Sequence, residues 1–270
     1  MNDIMNNMME ENMPSVKELY DYLDNEIPRA LSCEWDNDGL MVCADAFARA
    51  KKVLLALDAT DAVAEYAVQN GFDAIVTHHP MIFSPISALN TFDPVARKAM
   101  FLAKNGVAVM SFHTRLDARE GGVNDVLAAK LGIMNTVPFG PEGEKLGRIG
   151  NLPTPVEFRR FCASVSEALA SPMVNAIAAK PMVQKIAVLG GGGKDFVGSA
   201  IAAGADVLVT GEVTYNVMLG AKAEGLCLVT AGHYHTERPV LCALYKVIKE
   251  KYEEIEVTEY PFDTEIFTVK

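Results

Sequence analysis

Apolar residues recur at helical spacing from Pro14-Ser15 onward: Val16, Leu19, Tyr20 and Leu23 form one stripe, and Ser15 is placed to cap it. A polar loop follows, Glu34-Trp35-Asp36-Asn37-Asp38-Gly39-Leu40, around the only tryptophan of the chain. Lys52-Val53-Leu54-Leu55-Ala56-Leu57 is a short unbroken apolar run, the pattern of a strand covered on both faces. The stretch Asp61–Asn70 predicts a helix that stops before Gly71, and Ala74-Ile75-Val76 predicts a second strand running into Thr77-His78-His79-Pro80. Asp93–Asn105 predicts another helix, with Pro94 in its first turn, where a missing N–H costs nothing. Val107–Met110 predicts a third buried strand, ending in Ser111-Phe112-His113-Thr114. Strands alternating with helices of this length give an α/β architecture with a largely parallel sheet. The first dozen residues carry no periodicity and read as a frayed tail, with Met13 as an alternative start.

The pattern repeats. Lys52–Pro80 aligns without gaps on Lys185–Val213, at an offset of 133; six of the 29 positions are identical, among them Gly71/Gly204, Asp73/Asp206, Val76/Val209 and Thr77/Thr210. The apolar runs superpose, and each copy continues through a helix to a further strand, Val107–Met110 or Leu226–Val229. This predicts two similar α/β halves, residues 14–135 and 136–270, behind a tail of residues 1–13. The turn-rich Phe139-Gly140-Pro141-Glu142-Gly143-Glu144 lies at the join, and a helix is predicted over Pro155–Leu169.

Composition narrows the function classes. Half of the 270 residues are hydrophobic and 22% are charged, an ordinary globular balance; 24 Lys+Arg against 35 Asp+Glu give a formal net charge of −11. No extended basic surface is available to coat nucleic acid or bind an anionic membrane. Five dispersed cysteines without a CxxC pair read as reduced thiols and argue against a cysteine-ligated zinc site. The polar N-terminus and the lack of a long apolar run complete the expectation of a cytoplasmic protein.

The chemistry is concentrated in the histidines. His78, His79, His113, His233 and His235 all follow predicted buried strands, and ligands of open α/β sheets bind at the carboxyl ends of strands. A lone histidine is more often structural; five collected at equivalent strand ends of two halves are not scattered structural residues. Asp117 follows His113 by four positions and Glu237 follows His233 by four, so each copy carries a His-x-x-x-acid pattern. If a helix opens near Tyr234, His233 and Glu237 share a face. Imidazole with carboxylate and no thiolate suits Zn, Fe, Mn, Ni or Co. The set is large enough for two ions, which in such sites lie roughly 3.5–4 Å apart.

Other chemistries fit less well. Gly190-Gly191-Gly192-Gly193-Lys194 sits between a strand and a helix, where it either offers backbone N–H groups to a phosphate or permits tight packing. It is no Walker A loop, since Asp195 stands where Ser or Thr is required. Cys227 lies inside an apolar run and reads as core, and Ser111 lacks a Gly-x-Ser-x-Gly elbow.

Together, Trp35-Asp36-Asn37-Asp38-Gly39-Leu40, Thr77-His78-His79-Pro80, His113-Thr114-Arg115-Leu116-Asp117, Gly121-Gly122-Val123-Asn124-Asp125, Thr210-Gly211-Glu212 and Gly232-His233-Tyr234-His235-Thr236-Glu237 resemble the Nif-three-like family, over about Pro14 to Lys270. Its members are commonly labelled GTP cyclohydrolase 1 type 2 homologues. The resemblance implies two intertwined, duplicated α/β repeats with mixed sheets, a dinuclear metal site and a ring-shaped homohexamer. Carried over by motif, the ligands are His78, His79, Asp117, His233 and Glu237, with Glu237 able to bridge the ions, while His113 and His235 are candidates for proton transfer beside them. This chain departs from the family pattern at Arg115, where Asn is common, at Met41-Val42-Cys43, and at Asn216; the inserted domain of longer members is missing from residues 135–185.

The expected function is a metal-dependent hydrolase of a small, phosphate-bearing or nucleotide-like substrate, with two divalent ions of Fe, Zn, Mn or Ni. The alternatives are a non-enzymatic regulator or ring scaffold held by metal, and a metal-storage or delivery protein.

Overall fold

The computed structural model describes residues 13–262. All but the last residue of the tail read at 1–13 lies outside them. The chain forms two compact units: residues 13–116 with Leu241–Phe262, and Asp117–Val240.

The first unit is built on a five-stranded mixed sheet. Its strands are β1 (Gly39–Val42), β2 (Lys52–Ala56), β3 (Ala74–Thr77), β4 (Ala108–Ser111) and β11 (Glu256–Glu259), in the order β1-β4-β3-β2-β11. Strands β11, β2, β3 and β4 run parallel and β1 is antiparallel to β4. Three helices start where side chains satisfy their first N–H groups. Ser15 and Glu18 form a reciprocal capping box on α1 (Val16–Glu26), Thr60 caps α2 (Asp61–Gln69), and Asp93 caps α3 (Pro94–Lys104) with Pro94 at its first position. Leu54, Ile75 and Val109 from the central strands meet Val63, Phe72 and Leu102 in one core. Each such side chain, fully buried, contributes about 1.5–3 kcal/mol.

The second unit holds a six-stranded mixed sheet of β5 (Met134–Phe139), β6 (Gly147–Glu157), β7 (Asn175–Ile177), β8 (Met182–Gly192), β9 (Val207–Glu212) and β10 (Cys227–Thr230). Their order is β5-β6-β8-β9-β10-β7. Strands β8, β9 and β10 are parallel; the outer pairings are antiparallel. Its helices are α5 (Val123–Lys130), α6 (Phe158–Ala168), α7 (Val197–Ala202), α8 (Tyr215–Ala223) and α9 (His233–Glu237); the short α4 (Thr114–Ala118) lies across the unit boundary, and α10 (Leu241–Lys251) belongs to the first unit.

The duplication read from sequence is present in the register itself. Val53 pairs with Ala74 in the first unit and Ile186 with Val207 in the second, each shifted by 133. Asp73 Oδ2 accepts from the N–H groups of Lys51 and Lys52 (2.8 Å each), and Asp206 Oδ2 accepts from Gln184 and Lys185 (3.0 Å each) at the same offset. A carboxylate thus closes the start of the first strand in both copies.

Three sequence expectations are corrected. The join at 135/136 falls inside the second unit: the chain crosses at Leu116/Asp117, and Leu241–Phe262 returns to the first unit. The turn-rich Phe139–Glu144 is no linker, because Phe139 pairs with Gly147 and the segment closes the β5–β6 hairpin. The helix predicted from Pro155 begins at Phe158; residues up to Glu157 remain in β6, and the Glu157 carboxylate caps the helix through the N–H groups of Arg159 and Arg160. The five cysteines are free thiols, and no helix among the described residues is long and apolar enough to cross a membrane.

Candidate metal centre

In the first unit the chemistry lies past the ends of β3 and β4. The strand β3 ends at Thr77, whose hydroxyl donates to the His79 carbonyl (2.8 Å) and pairs with Ser111 Oγ (2.8 Å), fixing the turn that carries the two histidines. His78 is fully buried and its Nδ1 lies 3.0 Å from the Phe112 carbonyl oxygen. His79 Nδ1 lies 2.8 Å from Asp58 Oδ1, and His113 Nδ1 lies 2.9 Å from Asp36 Oδ1. A carbonyl or carboxylate oxygen only accepts, so each Nδ1 donates, and in a neutral ring that puts the lone pair on Nε2. Ring nitrogens of His78, His79 and His113 gather within 4.8 Å of one another. Sequence reading placed His113 beside the metals; the structure groups it with the two ligand candidates.

The loop read as polar around Trp35 is the frame of this cluster. Asp36 has its second oxygen against the Thr114 N–H (3.0 Å) and hydroxyl (2.5 Å). Burial alone would raise its pKa, but the bonds from His113 and Thr114 outweigh burial and hold it at about 2. Asp38, also buried, accepts from the His113 N–H (3.1 Å), Arg29 Nη1 (2.7 Å) and Arg115 Nε (3.0 Å). Arg115 is fully buried, lies over the Phe112 ring, and also donates to Asp24 (2.7 Å) and the Ile27 carbonyl (2.8 Å). Its burial works against the charge, yet Asp24 and Asp38 push its pKa up and keep it ionised. The departure from the family pattern at this position is therefore an internal ion network, one residue removed from Thr114.

In the second unit, α9 begins at His233, directly after Gly232 (φ +87°). His233 and Glu237 face the same side, as the spacing predicts, with Nε2 and Oε2 3.1 Å apart. His233 Nδ1 lies 3.1 Å from Glu212 Oε1, so it too donates to a carboxylate. Glu237 is buried. The glycine turn surrounds this pair. A Cβ on Gly191 would collide with Glu237 Oε1 and lie 3.0 Å from His233 Nε2; one on Gly190 would lie 2.9 Å from Glu237 Cγ, and one on Gly211 2.7 Å from His233 Cα. The Gly190 N–H donates to Asn124 Oδ1 (2.8 Å), Gly191 to Thr236 Oγ1 (3.1 Å) and Gly193 to the Glu212 carbonyl (3.1 Å). Of the two readings left open for this turn, the structure supports packing: three of its N–H groups are engaged within the protein, and the phosphate cradle is corrected.

The two His-x-x-x-acid patterns are not structurally equivalent. The ladders pair the Phe112 N–H with Thr77 O and the Ala231 N–H with Thr210 O, so His113 corresponds to Gly232 and Thr114 to His233. His113 precedes its helix; His233 is the first residue of its own. Asp117 is buried on α4, and His235 lines a separate cavity of about 170 Å³ with Lys130, Tyr234 and Arg238. Successive residues turn about 100° on a helix, which puts His235 far round α9 from His233. Sequence reasoning did not single out Asp58, nor the orienting roles of Asp36 and Glu212. The signal for Asp58 was its place one residue beyond the apolar run that ends at Leu57, where Gly191 stands in the other copy.

Known proteins share this fold. The model of the family Duf34/NIF3 (NGG1p interacting factor 3) matches residues 14–265. A Clostridium perfringens protein named GTP cyclohydrolase 1 type 2 homolog is 33% identical over 242 residues, covering 87% of this chain and 92% of that protein. The Protein NIF3 homolog of Schizosaccharomyces pombe is 34% identical over 227 residues, 78% of this chain and 80% of its own length. The crystal structure of a Bacillus cereus protein related to NIF3 superposes with a TM-score of 0.86 at 23% identity, over 96% of this chain and 99% of that one, and so shows the shared fold. A two-unit α/β protein with histidine and carboxylate clusters at its strand ends is the class defined here, and this chain belongs to the DUF34/NIF3 family.

Proposed function

We propose that this protein is a dinuclear metal-dependent hydrolase of a small molecule, with two divalent ions held by His78, His79, Asp117, His233 and Glu237. The observation that carries this reading is the state of the imidazoles. Four Nδ1 atoms are committed to acceptors, three of them carboxylates, which leaves Nε2 as the basic atom of each ring. In His233 that lone pair faces a carboxylate oxygen at 3.1 Å, an arrangement that calls for a proton or a cation between the two. Carboxylates behind ligating histidines fix ring orientation and raise ligand basicity. The donor set, imidazole and carboxylate without thiolate, fits Zn, Fe, Mn or Ni equally.

A bound divalent ion would act as a Lewis acid toward a carbonyl or phosphoryl oxygen and make a water more acidic. Asp58 and Glu212 hold His79 and His233 in their ligating orientation. Asp36 holds His113 with its proton on Nδ1, so its other nitrogen accepts and returns a proton during hydrolysis. The resemblance supports a ring-shaped homohexamer, which light scattering would read as six chain masses.

The test pairs metal analysis with a hydrolase substrate screen. His79→Ala and Glu237→Ala should lose bound metal and turnover together. Turnover that persists in a metal-free preparation would overturn the assignment.

A further inference from the structure

Beside the histidine cluster of the first unit stand two large exposed rings. Trp35 is 54% exposed and Phe83 is 51% exposed, with centroids 6.3 Å apart. Both meet His113 edge-on, Trp35 at 6.2 Å and 76°, Phe83 at 6.4 Å and 87°. His113 in turn lies 5.3 Å from His78 and 5.6 Å from His79, centroid to centroid. A scattered exposed apolar residue is ordinary. Two aromatic residues gathered on one candidate catalytic imidazole are a different case.

The backbone that carries these rings is held in place. The Asp36 N–H donates to the Cys33 carbonyl (3.0 Å) and the Cys33 N–H to Thr114 Oγ1 (2.9 Å), so Trp35 sits within a closed turn. Asn37 Nδ2 donates to the Ile82 carbonyl (2.6 Å), tying the Trp35 loop to the residue before Phe83. Met81 is buried and Ile82 packs on the core, which anchors the second ring. About half of each ring still faces water, and binding a flat apolar surface would bury that remainder.

We propose that the indole face of Trp35, with Phe83 tilted at 58° beside it as a side wall, stacks a planar nitrogen heterocycle of the substrate, which places the hydrolysable group beside His113 and its neighbours His78 and His79. The electron-rich indole favours an electron-poor heterocycle over a saturated or aliphatic group. The site gives a ring a face to lie on, so recognition rests on stacking, which every base or related heterocycle can use. This rests on the hydrolase reading for the position of the reacting group, while the platform itself is tested by binding alone.

Trp35 is the only tryptophan, so its emission reports on the platform directly. Adenosine and uridine would be titrated into the full-length protein with excitation at the red edge of the indole band, and ribose would serve as the non-aromatic control. The titration is run on protein as purified and again after chelation. The proposal expects saturable quenching by the nucleosides, none by ribose, and at least about tenfold weaker binding in Phe83→Leu, which keeps an apolar side chain and removes the ring. Calorimetry on Trp35→Leu should show the same loss without the fluorophore. Linear quenching without saturation, or nucleoside affinity unchanged in Phe83→Leu, overturns it. So does emission that follows protein concentration, with Phe83→Leu lowering the mass in light scattering, since the rings would then join copies of the chain. Metal content measured on the same samples separates the outcomes: nucleoside binding that fails while metal is retained overturns only the platform, and binding without metal retention counts against the hydrolase reading.

Discussion

Positions 57–60 of the first unit are Leu57-Asp58-Ala59-Thr60, while the equivalent positions 190–193 of the second are four glycines. One step further, His78 and His79 correspond to Gly211 and Glu212. The same three-strand frame, in the same register, therefore ends in two different chemistries. In the first unit the strand ends themselves carry imidazoles, and Asp58 after the first strand orients His79 after the second. In the second unit the strand ends are hollowed by glycine, and the space is filled by His233 and Glu237 from the following helix, with Glu212 as the orienting acid. A duplicated frame keeps the imidazole–carboxylate pair but not the positions that supply it. Alignment by residue type alone, matching His113 to His233, misses this by one residue.

The comparison can be broken most strongly at Arg115, which has no charged counterpart in the glycine cradle. Arg115→Met would take a guanidinium from both Asp24 and Asp38, leaving buried Asp38 with Arg29 alone, and should destabilise the protein by about 3–5 kcal/mol in urea unfolding. The second unit is most sensitive at Gly191. Gly191→Ala meets both the Glu237 carboxylate and a φ of +68°, and should cost about 2–4 kcal/mol together with metal retention. Asp58→Ala, at the equivalent position, adds no such clash and should leave unfolding nearly unchanged.

A smaller effect comes from Asp36. Its pKa falls from 3.8 to about 2 on folding, so its contribution is fully present above the unfolded value and is lost as pH falls through the folded one. The account expects about 2 kcal/mol of stability to disappear between roughly pH 4 and pH 2. That slope should vanish in Asp36→Asn. The mildest changes are the orienting acids: Asp58→Ala and Glu212→Ala should each weaken metal binding by about 10- to 100-fold, by competition against a chelator. Glu212 is the more exposed of the two and should fall at the lower end.

Much of this was legible in the chain. The parallel strands announce themselves as unbroken apolar runs because both faces are covered, and the cap Ser15 and the first-position Pro94 mark helix starts by local chemistry. The histidines stood out because strand ends are where an α/β sheet exposes side chains to ligands. What was not legible depended on contacts distant in sequence. Asp36 and His113 are 77 positions apart, and Arg115 and Asp24 are 91 apart. The return of α10 and β11 to the first unit likewise rests on β11 pairing with β2, which no local pattern encodes. The glycine run misleads for a related reason: glycine permits a close approach, but sequence does not say whether a phosphate or a glutamate side chain makes it.

The most direct test of the account is the number of divalent ions bound per chain, measured by elemental analysis after loading and exhaustive dialysis. The account predicts two in the native protein and fewer in both His78→Ala and Glu237→Ala. One ion or none in the native protein, or two retained in both variants, would contradict it.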